Sequence, residues 1–135
     1  MGVPRERKAD EYRVAITPDG VAELAHHGVT VLVESGAGAG AALDDDTFRA
    51  AGAEIVADAA DVWGRAGLVC KVKEPQPSEY GYLRSDLVLF TYLHLAAYPQ
   101  VADELLRAGT TGVAYETVQA ADGSDRKSTR LNSSH

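Results

Sequence analysis

The stretch LVLFTYLHLAAY, residues 87–98, decides how the chain is read. Leu87 to Leu93 make one apolar run of strand-forming residues, and His94 follows at once. Such a run reads as a buried strand. Directly after it, PQVADELLRAG opens with Pro99, closes with Gly109 and repeats apolar residues at helical spacing. That predicts a helix with Val101, Leu105 and Leu106 facing inward. TGVAYE, 111–116, is then the last strand.

The same alternation runs back toward the N-terminus. GLVCKV (67–72) is a strand, and the proline-bearing KEPQPSEYGYL after it is a loop. ADVWGRAG is a helix, Ala53–Val56 a brief strand, and DDTFRAAG a short helix stopped by Gly52. VTVLVE (29–34) is a strand. TPDGVAELAHHG carries Thr17 as N-cap, Pro18 at the first helical position and Gly28 as stop, with Val21, Leu24 and Ala25 on one apolar face. The first strand is a stub around Met1–Val3. Short strands alternating with helices predict an α/β fold: a doubly wound parallel sheet of the flavodoxin/Rossmann-like kind. There is no internal repeat.

Composition narrows the function class. With 135 residues, 45% apolar and 24% charged, the chain is long and apolar enough for one globular domain. No apolar run reaches the roughly 20 residues that span a bilayer, and MGVPRERKADEYRV lacks the apolar centre of a signal peptide. The net charge of −7 argues against nucleic acid and anionic membranes as partners. Cys70 is the sole cysteine, so no internal disulfide forms; inside GLVCKV it reads as a small buried hydrophobe. A cytoplasmic protein with a small-molecule ligand is the expectation.

DRKSTRLNSSH, residues 125–135, changes character: polar, basic, and with Leu131 as its one large apolar residue. It back-translates into a string resembling a common sequencing adapter. Residues 125–135 are therefore set aside as non-native, with the natural frame expected to continue past Ser124 and residues 1–124 read as an incomplete domain.

Two features invite a chemical reading. SGAGAGAAL holds Gly36-x-Gly38-x-x-Ala41, a loose match to the dinucleotide fingerprint. Asp44, Asp45 and Asp46 follow closely and would repel phosphate, so the glycines are read as a loop and no residue of the chain is assigned to a cofactor or a metal. The second feature is positional. Ligands of parallel α/β sheets bind beyond the carboxyl ends of the strands. Arg13 follows the first strand, Lys73 follows GLVCKV, His94 follows Leu87–Leu93, and Tyr115 with Glu116 end the last strand. Each has a plainer reading: Arg13 pairs with Glu11 or Glu6, Lys73 is a solvated charge beside Glu74, His94 is a structural hydrogen-bonder. Together they suit a small 2-oxo or 2-amino acid, with Arg and Lys for its carboxylate and His for a proton.

GVPRERKADEYRVAITPDGVAEL, VESGAGAGA, AGAEIV, KVKEPQPSEY, LFTYLHLAA and AYETVQAADGS, in that order, closely resemble the N-terminal part of bacterial L-alanine dehydrogenases. The related proton-translocating transhydrogenase alpha chains share VPxE and RVAxTP but are less similar around KVKEP and TYLHLA. The resemblance implies NAD-dependent oxidative deamination of L-alanine to pyruvate and ammonia, and the reverse. It implies that Arg13 and Lys73 hold the substrate carboxylate and that His94 is the catalytic acid/base, kept neutral by the cations expected around it. It places the catalytic aspartate and the NAD site in a nucleotide-binding Rossmann domain that these residues lack, so the piece alone is expected inactive. It also implies a homo-oligomer, usually a hexamer. A non-catalytic module that binds pyruvate or alanine is the alternative from a different class.

Overall fold

A computed structural model describes residues 1–117. The boundary expected near Ser124 and the segment 125–135 lie outside the described residues. The elements are β1 (Gly2–Val3), α1 (Pro18–His26), β2 (Leu32–Glu34), α2 (Asp45–Ala51), β3 (Glu54–Val56), α3 (Ala59–Arg65), β4 (Leu68–Cys70), β5 (Val88–Thr91), α4 (Pro99–Ala108) and β6 (Thr111–Ala114). Short 3₁₀ turns at Ala39–Ala41, Pro77–Tyr82 and Tyr115–Thr117 complete the path.

The strands form one parallel sheet in the order β3-β2-β1-β4-β5-β6. This is the doubly wound order of the Rossmann fold rather than the flavodoxin one. The chain moves outward from β1 on one side, then returns past it to β4 and moves outward on the other. The switch point lies between β1 and β4, where Gly2 pairs with Val69.

The inner strands are covered on both faces, as β2 shows, whereas the edge strand β6 is largely exposed. Val31 and Val33 join Val3, Val21 and Phe48 in a core beneath α1 and α2, whereas Leu32 packs with Val62 of α3. Successive strand side chains point to opposite faces, so a continuous apolar run is what a doubly covered sheet requires. The larger core lies on the α3 and α4 side and holds Trp63, Val69, Leu87, Leu89, Leu93, Val101 and Leu105.

The helix boundaries follow local chemistry. The Thr17 side chain accepts from the Gly20 N–H, Asp44 from Thr47 and Asp58 from Asp61, each an N-cap satisfying an orphan donor. Gly52 and Gly109 end α2 and α4 in the left-handed conformation.

Three expectations are corrected. Leu106 points to solvent, 81% exposed, because it lies about 100° around α4 from Leu105 while Val101 and Leu105 share the buried stripe. Ala25 is likewise exposed, leaving Val21 as the buried anchor of α1. The paired strands are shorter than their apolar runs, and Tyr115 and Glu116 leave the sheet in a 3₁₀ turn.

Candidate active site

Because all six strands run the same way, the loops after β1, β4 and β5 meet at one edge. Glu6, Lys8 and Arg13 come from the first of these loops, Lys71, Lys73 and Glu74 from the second, and His94 from the third. This edge is the switch point, where ligands of such sheets bind.

A buried ion cluster ties the first two loops together. Glu6 Oε1 accepts from Lys71 Nζ at 3.1 Å and from the Lys73 N–H at 3.1 Å, while Oε2 accepts from the Val72 N–H at 2.9 Å. Lys71 also faces Glu79 Oε2 at 3.3 Å and is completely buried. Burial pushes the Glu79 carboxyl up, opposed by the Lys71 charge. The backbone that carries Lys73 is thus held by a carboxylate from across the switch point.

Beside this cluster lies an open cleft of about 490 Å³, lined by Lys8, Asp10, Glu11, Tyr12, Arg13 and Lys73, with Ala9 at its wall. Arg13 grips Glu11 with Nε and Nη2, at 2.9 and 2.7 Å. The plainer reading of Arg13 from sequence is therefore correct as geometry. Hydrogen bonds from Arg13 hold the Glu11 carboxyl below the usual range against its burial, and the charge of Lys73 acts in the same direction. The two cations assigned to a substrate carboxylate thus both bear on one carboxylate, that of Glu11.

His94 does not line this cleft. Its Nδ1 lies 3.2 Å from Glu74 Oε2, and Lys8, which does line the cleft, binds Glu74 Oε1. Lys8 also reaches Tyr98 Oη at 3.2 Å and sits 4.5 Å from that ring's centre. Although burial alone would raise it, the Glu74 carboxyl is held below its ordinary value by hydrogen bonds from Lys8, its own backbone and His94. Cations were expected around the imidazole; the charged group bonded to the ring is a carboxylate, with the Lys8 ammonium on that carboxylate's other oxygen.

Two other expectations resolve here. Cys70 is buried, and its Sγ lies 3.0 Å from Tyr115 Oη; burial pushes the thiol up, so it is a packed group rather than a nucleophile. In the glycine loop Asp45 accepts from the Gly36 N–H and from Ser35 Oγ, so a carboxylate stands on the backbone donor that a dinucleotide fingerprint would offer to phosphate. Among the described residues no group of His, Cys, Asp or Glu is disposed to hold a metal ion, and no helix is long and apolar enough to cross a membrane.

Residues 2–133 match the alanine dehydrogenase/PNT N-terminal domain family. The chain belongs to that family. The alanine dehydrogenase of Mycobacterium tuberculosis strain H37Rv is 56% identical over 123 residues, covering 91% of this chain and 33% of that protein. That of Bacillus subtilis strain 168 is 55% identical over 118 residues, covering 87% and 31%. A solved L-alanine dehydrogenase superposes with a TM-score of 0.90 at 43% identity, over 97% of this chain and 37% of the other. A transhydrogenase from Sinorhizobium meliloti follows at 0.79 and 30%, over 85% and 33%. The chain spans about a third of the length of the curated relatives it matches.

For a member of this family, sequence reasoning selected Arg13, Lys73 and His94 but passed over Glu6, Lys71 and Glu74. The signal for Lys71 was present: a lysine inside the apolar run GLVCKV must be buried, and a buried ammonium demands an acidic partner.

Proposed function

We propose that residues 1–124 are the substrate-binding part of an NAD-dependent L-alanine dehydrogenase, interconverting L-alanine with pyruvate and ammonia in a cytoplasmic homo-oligomer, usually a hexamer. The observation carrying this reading is the cleft at the switch point, where Arg13 and Lys73 both act on a single carboxylate. A substrate carboxylate would take the place that Glu11 marks, meeting an arginine fork and a second cation.

The glycine loop after β2 does not favour a dinucleotide: its Gly36 N–H is taken by Asp45, and a 3₁₀ turn at Ala39–Ala41 stands between the glycines and α2. NAD is assigned to a second domain, and the role of this chain is to bind and to move protons. In the amination direction, ammonia adds to the pyruvate carbonyl carbon and the carbonyl oxygen takes up a proton. That oxygen then leaves as water, giving an iminium. Each step requires a proton delivered or removed at the same oxygen, the task assigned to His94. Fixing the carboxylate orients the reacting carbon.

The test is made on the complete protein. Arg13→Ala and Lys73→Ala should each raise KM for pyruvate by about 10-fold or more, the worth of a charge-assisted hydrogen bond. His94→Ala should lower kcat well beyond its effect on KM. Unchanged turnover in His94→Ala removes that residue from the mechanism, and nicotinamide-independent binding with no turnover would favour the non-catalytic module. The transhydrogenase alpha-chain reading stands second, on the lower identity and TM-score of that relative. That residues 125–135 are foreign is tested by resequencing the gene across codon 124.

A further inference from the structure

We propose that Glu74 is a positioning residue for His94: it fixes the proton on Nδ1 and leaves Nε2 as the nitrogen that exchanges protons with the substrate oxygen. This rests on the reading of His94 given above. Glu74 directly follows Lys73, its side chain is 3% exposed, and it does not line the cleft. Each of its oxygens is committed. Oε1 accepts from Lys8, and Oε2 lies 3.2 Å from His94 Nδ1.

With Lys8 as a fixed cation on the other oxygen, Glu74 is an acceptor-only carboxylate. The proton between it and the ring then resides on Nδ1, so Nε2 is the nitrogen left to exchange: it gives a proton to the substrate oxygen in amination and takes one from it in deamination. The backbone beneath the ring is fixed as well. His94 holds a left-handed φ of 51°, uncommon for a residue with a side chain. Its carbonyl accepts from the N–H groups of Ala97 and Tyr98, both at 3.0 Å. On the other side the Leu93 N–H donates to Glu116 at 3.0 Å. The titratable groups around the ring are Glu74 from the loop after β4, Lys8 from the loop after β1, and the Tyr92 and Tyr98 rings, one stacked and one edge-on. A strained backbone, a buried acceptor and two aromatic walls leave the imidazole little freedom except at Nε2.

The experiment is a mutant cycle in the complete protein, assayed by pyruvate amination. Glu74→Gln should lower kcat by about 10-fold or more with KM for pyruvate within roughly 2-fold. The double variant Glu74→Gln/His94→Ala should be no slower than His94→Ala alone, because both changes remove the same function. If Glu74→Gln keeps wild-type kcat, or if the two losses multiply, the proposal is overturned while the role of His94 stands. If His94→Ala itself leaves kcat unchanged, the functional reading falls and this proposal with it. Should Glu74→Gln not fold, nitrogen NMR of the wild-type protein labelled at histidine decides: a neutral His94 protonated on Nδ1 supports the proposal, and one protonated on Nε2 overturns it.

Discussion

Glu6 and Lys71 form an ion pair of 3.1 Å from which water is excluded on both sides. It crosses the switch point of the sheet and, with the Glu6 bonds to the Val72 and Lys73 N–H groups and the Lys8–Glu74 pair, fastens the loops that carry Arg13 and Lys73. Lys71 is also the cation shared by Glu6 and Glu79. Lys71→Met keeps the length of the side chain but leaves two buried carboxylates facing each other. Breaking a buried pair in this way costs about 3–5 kcal/mol, since the remaining charge stays desolvated. Denaturant unfolding of the complete protein should show that loss. Leu106→Ser, at the exposed position of α4, should shift the same curve by no more than about 0.5 kcal/mol.

The framework around this contact was legible because its punctuation is local. Thr17 and Pro18, Gly52, Pro99 and Gly109 each act within a few residues of where they stand, and they mark the helix ends. Strand limits were less legible: an apolar run such as Leu87–Leu93 tells which residues are buried, but pairing with a neighbour decides which are strand, and only Val88–Thr91 pair. The positions of Arg13, Lys73 and His94 at one edge followed from strand direction alone. Their partners did not. Glu6 and Lys71 lie 65 residues apart and Lys8 and Glu74 lie 66 apart; the run GLVCKV marks Lys71 as buried, but Glu6, Lys8 and Glu74 look in sequence like ordinary surface charges. Nothing short of the three-dimensional register brings them together.

Gly40 supports the cleft from behind. A Cβ there would meet the Tyr12 carbonyl oxygen at 2.7 Å and its Cα at 3.0 Å, both backbone atoms that cannot turn aside. Gly40→Ala should therefore displace the segment between Glu11 and Arg13 and weaken carboxylate binding, raising KM for pyruvate by about 10-fold to 100-fold while kcat changes less. Gly64 is the matched control. It lies in α3, and an added Cβ meets nothing within 4 Å. Gly64→Ala should leave kinetics alone and stabilise the fold by about 0.5–1 kcal/mol, the cost of glycine in a helix. Steady-state kinetics and thermal unfolding on the two variants check both halves.

Arg84 closes α3 from outside the helix. Its Nη1 donates to the Trp63 carbonyl and its Nη2 to the Ala66 carbonyl, groups left without helical partners at the C-terminus. Its Nε pairs with Asp86 at 2.8 Å. The guanidinium also places positive charge where the helix end is negative. Arg84→Ala should cost about 1–3 kcal/mol, because partly buried carbonyls lose their donors. Arg84→Lys should recover only part of that, since an ammonium cannot reproduce the fork. Equal stability of the Lys variant and wild type in urea unfolding would show that charge, not geometry, is what α3 uses.

The Lys8–Glu74–His94 cluster sets a pH signature. The folded Glu74 carboxyl titrates below its ordinary value of 4.5, so between the two values the unfolded chain binds more protons and stability rises with pH. The contribution of Glu74 is thus present above about 4.5 and lost as pH falls through its lowered value. Lys8 has the opposite limb. Burial would lower it, but Glu74 and Tyr98 raise it above 10.5, so its share is complete below 10.5 and lost as pH rises through the raised value. Glu79, raised by burial, slopes against Glu74 on the acid side, so the quantity to follow is the difference between wild type and Glu74→Gln. In urea unfolding at a series of pH values, that difference should stay largest around neutrality and shrink as the solution is acidified below about 4.5. A difference that persists undiminished at acid pH would mean the carboxylate stabilises the fold by packing rather than by its charge.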